Sequence, residues 1–581
     1  MRALRIAVAL LMLAGAGLAQ TSSEQNLRLD QVVDRIVQQE ANFMDSLHNY
    51  APLVETYIQE MQLEKELGAV PLRDTYFLAK ADFSQGIRDR IFIGAGSNEH
   101  HRLAAFSKLK PGSPFAMRFV EAGFLQGIIL DTGGFDQSNY KFDLLRREFL
   151  GDVRCMVFDV TPRKGSGQGR FMGRIWVEDQ DYHVVRFSGV RVNAPKFRYY
   201  FHFDSWRVNM GPAPGVWLPA YVYTEENDKE FGGVHHAHFK AQTRLWGYNL
   251  RNANRQDEMT SVLVEAPNAV ADHSEQTQDR GPLEALHAWQ RQSEDNVTDR
   301  MERAGLLAPR GDVEKVLETV VNNIVVTNNL DIQPEVRCRV LLTAPLESFT
   351  MAHTIVVSRG LIDTLPDEAS LGMVLAHELA HVVLGHALDT RWAFSDRMIF
   401  SDYEAFRRLD FRRNPVEEQA ADEKAVELLQ KSPYAGKLNE GGLFLRALSA
   451  RSKEVPNLVT AHLGNRMALG NSAVRLQNVA QSAPELNLKQ VDQIAALPLG
   501  ARLKVDPWSD RVEMMKSKPL AATSAREKMP FEVTPFAPFL TRRPAGAAPL
   551  SGGTTAQASP APAAAETPAV VVEDKPSTQD R

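Results

Sequence analysis

Cysteine is nearly absent: Cys155 and Cys338 are the only two among 581 residues. That excludes a disulfide framework, and a chain of this length can build a large apolar core without one. The two thiols are expected to be buried separately rather than bridged. An excess of one charge is missing too. Lys and Arg number 66 against 72 Asp and Glu, a net charge of −6 with no basic stripe, which argues against nucleic acid as a partner. Beyond the first 19 residues, no stretch reaches the roughly eighteen uninterrupted apolar residues that a spanning helix needs. Internal repeats are not evident.

What is present begins at the N-terminus. Arg2 and Arg5 precede an apolar run from Ile6 to about Ala16, then Gly17-Leu18-Ala19. This reads as a secretory signal peptide over 1–19, too short to span. No cysteine follows the run, so a lipid anchor is not expected. The expected product is an exported protein without a membrane span, periplasmic in a bacterium or else extracellular.

Length predicts more than one domain. From Asn26 to about Leu63 the chain reads as amphipathic helix, with Leu29, Val32, Val33, Ile36 and Val37 at three- and four-residue spacing. The period then changes to two. Strands are predicted at Gly173–Glu178, His183–Phe187, Arg198–Phe203, Val216–Tyr223 and His235–Leu245, with a turn at Asp179–Asp181. His235, His236 and His238 read as solvent-facing strand histidines rather than a metal site. The expected organisation is a helix plus antiparallel sheet domain over 24–265, a polar linker over 266–284, and a mainly helical domain over 285–518. A Pro- and Ala-rich tail over 519–581 cannot bury enough surface to fold. The fold class is α+β, multidomain.

The chemistry is concentrated in His377-Glu378-Leu379-Ala380-His381-Val382-Val383-Leu384-Gly385-His386. On a helix, at about 100° per residue, His377 and His381 project within roughly 40° of each other. Two imidazoles can then bind one Zn²⁺, with Glu378 placed to work on water as general base. Leu371, Leu375, Leu379 and Val382 form an apolar stripe away from the histidines, and Pro366-Asp367-Glu368 reads as the helix start. A catalytic zinc needs a third protein ligand. Leu384 and Ala387 stand where a third-histidine motif would have glycine and histidine. His386 lies about 180° around a continuous helix from His377, so a structural role at the helix C-terminus is expected for it. The third ligand is sought in Pro415–Asp422. Glu418 and Asp422, four apart, share a helix face, so one can ligate while the other accepts a hydrogen bond from a ligand imidazole. Glu417 is the competing choice.

These residues resemble a known family. The histidine-containing stretch, preceded by Ile355-Val356-Val357-Ser358-Arg359-Gly360-Leu361-Ile362 and followed by Glu418-Gln419-Ala420-Ala421-Asp422, is similar to the HtpX-like and BepA-like zinc metallopeptidases, the family that includes the CAAX prenyl protease. The resemblance runs from about Val313 to Arg475. It implies a gluzincin-type domain in which His377, His381 and Glu418 hold one Zn²⁺, Asp422 supports a ligand histidine and Glu378 is the base. The family also carries a His-Pro pair followed by Arg. Thr460–Arg466 is similar, with Leu463 in place of the proline, so His462 and Arg466 are expected to enter the cleft and stabilise the oxyanion or mask the zinc. The segment Gly173–Tyr223 resembles, at the level of pattern, the curved sheet of LolA-like lipoprotein carriers.

The implied function is cleavage of unfolded or misassembled envelope proteins, with a substrate strand pairing along Phe349–Val357. The alternative is a periplasmic chaperone whose sheet domain binds a lipid or lipoprotein client, which requires an apolar sheet face emptied of side chains.

Overall fold

A computed structural model describes residues 29–64, 68–83, 88–94, 124–131, 134–192, 201–210, 215–226, 238–248, 281–386, 409–469, 472–486 and 503–514. The expected signal peptide, most of the linker, the tail, His235 and His236 lie outside the described residues.

The N-terminal part is one ten-stranded antiparallel sheet with a helix on one face. Helix α1 spans 29–47. The predicted helix to Leu63 therefore stops early. From Leu53 the chain pairs with two other strands and forms β1 (Leu53–Glu64), apolar on both faces. It continues through β2 (Gly68–Asp82), β3 (Arg88–Gly94), β4 (Tyr140–Leu150), β5 (Val153–Pro162), β6 (Arg170–Glu178), β7 (Val184–Val192), β8 (Phe201–Met210), β9 (Val216–Glu226) and β10 (His238–Trp246). The strand order is β3-β2-β1-β10-β9-β8-β7-β6-β5-β4, so pairing of β1 with β10 joins the early and late strands.

Alternation gives the sheet two different faces. Val54, Phe158, Phe171, Ile175, Phe187, Phe203, Leu218 and Leu245 pack with Val33, Ile36, Phe43 and Leu47 of α1. A buried ion pair pins the helix there. Arg207 Nη1 and Nη2 lie 2.7 and 2.8 Å from the two carboxylate oxygens of Glu40, and the guanidinium covers the Phe43 ring at 3.7 Å. Among the described residues this face is filled rather than emptied.

The opposite face carries Leu53, Tyr57, Tyr76, Trp176, Trp206, Trp217 and Trp246, and it shares one continuous core with the C-terminal part. Trp246 Nε1 donates to the Gly305 carbonyl at 2.7 Å. Glu55 on β1 accepts from Tyr76 Oη at 2.9 Å and from the amide of Ala344 at 2.5 Å, and it pairs with Arg359 at 3.2 Å. Asp74 on β2 accepts the amides of Asn457 and Leu458 at 2.9 and 2.7 Å. Cys155 and Cys338 are both buried, and neither forms a disulfide.

The C-terminal part runs α2 (Pro282–Arg303), α3 (Asp312–Thr327), β11 (Arg337–Leu341), β12 (Ser348–Met351), β13 (Thr354–Ser358), α4 (Arg359–Thr364), α5 (Glu368–Val383), α6 (Pro415–Gln430), α7 (Leu438–Arg451) and α8 (Pro456–Val459). Its sheet has the order β11-β13-β12, which leaves β12 at the edge. The single strand expected over Phe349–Val357 is instead a hairpin. Ala352, at φ +49°, turns the chain between β12 and β13, and of these two strands β12 is the one at the sheet edge. No described helix is long and apolar enough to cross a membrane.

Candidate metal centre

Helix α5 starts where its capping residue dictates: Asp367 accepts from the amide of Ser370 at 2.7 Å. The helix is buried along nearly its whole length, and His377, Glu378 and His381 are each about 1% exposed. Helix α6 begins at Asn414, which caps the amides of Val416 and Glu417, and it crosses beside α5 with Glu418 and Asp422 turned inward.

His377, His381 and Glu418 each offer a ligand atom, and these atoms lie within 4.8 Å of one another. His377 Nε2 is 3.3 Å from His381 Nε2, and the Glu418 oxygens lie 3.5 and 3.3 Å from those nitrogens. Both Glu418 oxygens are buried without a hydrogen-bond donor. Arg475 approaches one of these oxygens, and two imidazoles with a carboxylate crowded this closely are a donor set that fits a divalent metal of the zinc class. Glu417, the competing choice, is not part of the cluster.

Asp422 does two things. Its Oδ1 lies 2.8 Å from His377 Nδ1, which leaves Nε2 facing the cluster. Its Oδ2 accepts from the amide of Leu476 at 2.7 Å, which anchors the neighbouring Arg475. Burial disfavours charge on His377, but Asp422 and Glu418 outweigh it and lift the imidazole to about 9. For Glu418, burial pushes upward and is overcome by Arg475 and the two histidines, which hold the carboxylate far below its usual range.

Glu378 points from α5 toward β12. Its Oε1 accepts from Ser348 Oγ at 2.7 Å and from Arg475 Nη1 at 2.8 Å, and its Oε2 accepts from Thr350 Oγ1 at 2.7 Å. Burial alone would raise this carboxyl. Arg475, then His377 and His381, instead hold it below the ordinary glutamate value.

Arg475 is the residue that sequence reasoning missed. It is 4% exposed and its Nε lies 3.1 Å from Glu418 Oε2, so one guanidinium spans Glu378 and a candidate ligand. One signal pointed to it: it is the only charged residue between Arg466 and Glu485. Arg475 also donates to the Ser348 carbonyl from Nη1 and Nη2, each at 3.3 Å, while Arg413 Nη2 donates to the Thr350 carbonyl at 3.2 Å. Because Glu347 bonds across to Ser358 of β13, the alternate residues Ser348 and Thr350 present their backbone outward. Both outward carbonyls of the edge strand therefore hold guanidinium groups. Beside them Phe411 stacks on Phe349 at 4.6 Å.

His462 and Arg466 stand elsewhere. The His462 ring stacks on Tyr76 of the sheet domain at 5.4 Å, and its amide donates to Glu347 at 2.9 Å. It is not a member of the metal-ligating cluster. Burial, with Arg466 nearby, lowers its imidazole to about 4. Arg466 is exposed. The loop that bears them still reaches the edge strand: a Cβ on Gly464 would come within 2.7 Å of the Ser348 carbonyl oxygen.

His386 stands at the C-terminal end of α5, outside the ligand cluster, but on a reversed chain. The continuous-helix assumption fails because α5 ends at Val383 and Gly385, at φ +67°, reverses the chain. His386 then donates its amide to the His381 carbonyl at 3.0 Å, and its Nδ1 sits 2.7 Å from His381 Nδ1.

Among solved structures, the chain is similar to a domain described as an outer membrane lipoprotein-sorting protein from Vibrio parahaemolyticus, at 10% identity and TM-score 0.21, covering 40% of this chain and 97% of that one. A DUF1329 family protein from Desulfovibrio piger is similar at 10% identity and TM-score 0.18, over 39% and 98%. The MucA/MucB complex of Pseudomonas aeruginosa is similar at 11% identity and TM-score 0.13, over 36% and 94%. No curated protein matches the chain. The family model of peptidase family M48 matches residues 313–400, which contain β11 to β13 and the His377–His381 helix. That segment is similar to peptidase family M48, a likeness that supports a metallopeptidase reading of this part of the chain.

Proposed function

We propose that this protein is an exported zinc-dependent metalloendopeptidase acting on unfolded or misassembled envelope proteins. The observation that carries the reading is the convergence of His377, His381 and Glu418 with Glu378 one residue along the same helix. Zn²⁺ in this donor set supplies Lewis-acid polarisation of a scissile carbonyl and acidification of water. Glu378, ionised and held by Ser348, Thr350 and Arg475, accepts the proton of the attacking water and delivers it to the leaving amine. Asp422 keeps His377 in the tautomer that presents Nε2. Strand β12 lies directly beside Glu378, so an extended peptide that took the place of Arg475 and Arg413 on its outward carbonyls would run past the base. Backbone pairing reads little side-chain identity, which suits unfolded polypeptide. The export assignment rests on the signal-like residues 1–19.

The test is zinc content and proteolysis by the purified full chain. It should hold about one zinc per chain and cleave a permanently unfolded polypeptide, with the cleavage abolished by a chelator and restored by zinc. Chelator-insensitive cleavage, or protein that takes up no zinc, would sink the reading.

A further inference from the structure

Resting on that reading, we infer that His386 is a positioning residue for the metal site, the hydrogen-bond acceptor that fixes the ring of His381. The two candidate histidine ligands are supported differently. His377 has a carboxylate behind it, with Asp422 Oδ1 at 2.8 Å from Nδ1. His381 has an imidazole behind it, with His386 Nδ1 at 2.7 Å from its own Nδ1. His381 Nε2 faces His377 and Glu418 at 3.3 Å each, so it must present a lone pair there. The proton of a neutral His381 then resides on Nδ1, and Nδ1–H donates to His386 Nδ1. His386 in turn carries its own proton on Nε2. One hydrogen bond thus sets the tautomer of both rings.

The backbone is built to deliver this contact. The amide of Gly385 bonds to the Val382 carbonyl at 3.0 Å and that of His386 to the His381 carbonyl at 3.0 Å, the paired bonds of a helix C-terminal reversal. Such a reversal needs a left-handed residue, and Gly385 supplies it at φ +67° with nothing within 4 Å of a notional Cβ. A continued helix would carry residue 386 to the far side of α5. The glycine therefore turns a distant histidine into the partner of a ligand.

The test compares zinc affinity, read by chelator competition on the full chain, with unfolding of the metal-free protein. His386→Ala should bind zinc about 10- to 100-fold more weakly than wild type, the usual cost of losing such a partner. His386→Asn, whose Oδ1 can stand where Nδ1 stood, should recover most of that loss. Gly385→Ala, which disturbs the reversal without touching either ring, should fall between the two. Zinc affinity of His386→Ala equal to wild type, or of His386→Asn as poor as His386→Ala, would overturn the inference while leaving the zinc reading intact. Wild-type protein that binds no zinc would overturn both.

Discussion

Arg475 Nη1 lies 2.8 Å from Glu378 Oε1, deep in the protein, with side chains 4% and 1% exposed. The same guanidinium reaches Glu418, so a single buried cation balances the carboxylates of Glu378 and of a candidate ligand. Two buried carboxylates facing each other without it would repel in a medium that screens poorly.

Replacing Arg475 with Met should therefore cost stability most in the metal-free protein, by about 3–5 kcal/mol, the scale for breaking a buried pair. Zinc would take over part of the balancing charge, so the loss should shrink when metal is present. Urea denaturation with and without zinc measures the difference. An equal loss in both states would mean that Arg475 stabilises by packing rather than charge.

Glu378→Gln removes the base and no ligand. Zinc content should stay at the wild-type level while turnover falls by roughly two or more orders of magnitude. Undiminished cleavage would exclude Glu378 as the proton carrier.

His381→Ala removes one of the three converging donors. The variant should lose its zinc yet keep the β-sheet signature of the N-terminal part in circular dichroism, since the core between the sheet and α1 includes no residue of α5. Full zinc retention would show that the ligand set is wrong.

Glu347 gives a pH dependence whose sign can be worked out. It is fully buried beside the edge strand, accepts the amides of His462 and Leu463 at 2.9 and 3.0 Å, and burial pushes it up from 4.5 to about 6. Between those values the folded protein binds more protons than the unfolded chain, so this group's contribution to stability is greatest below 4.5 and declines as pH rises to about 6. The decline amounts to about 2 kcal/mol. Glu347→Gln cannot ionise and should lack that slope. Denaturation curves of the two proteins from pH 4.5 to 7 decide it: parallel profiles would remove Glu347 as the source.

Local rules carried the sequence reading a long way in some places. His377, Glu378 and His381 lie on one helical turn, so spacing alone brings them together, and Asp367 marks the helix start by its own side chain. Glu418 and Asp422 share a face for the same reason, though the spacing left open which of them would meet the histidines. The strand predictions held where turn residues bounded an alternating run, as in β6, β7 and β9. They failed where periods blur. Val54 and Ile58 extend the apparent helical spacing of α1, and only pairing with β10 and β2 makes that stretch a strand. The contact of His386 with His381 was not legible, because helical geometry stops at the point where Gly385 reverses the chain.

The sequence by itself determined which candidate metal ligands α5 brings together, because side-chain spacing on a helix is a local property of the backbone. Tertiary structure alone decided which arginine serves the site, where His462 goes and what occupies the substrate edge. Arg475 reaches Glu378 across 97 residues, and the amides of Asn457 and Leu458 reach Asp74 across 383 and 384. Contacts at such separations leave no periodic trace in the chain. They follow from how two apolar surfaces close on one another: the aromatic face of the sheet, with Tyr57, Tyr76 and Trp246, buries itself against the peptidase core and brings Tyr76 onto His462.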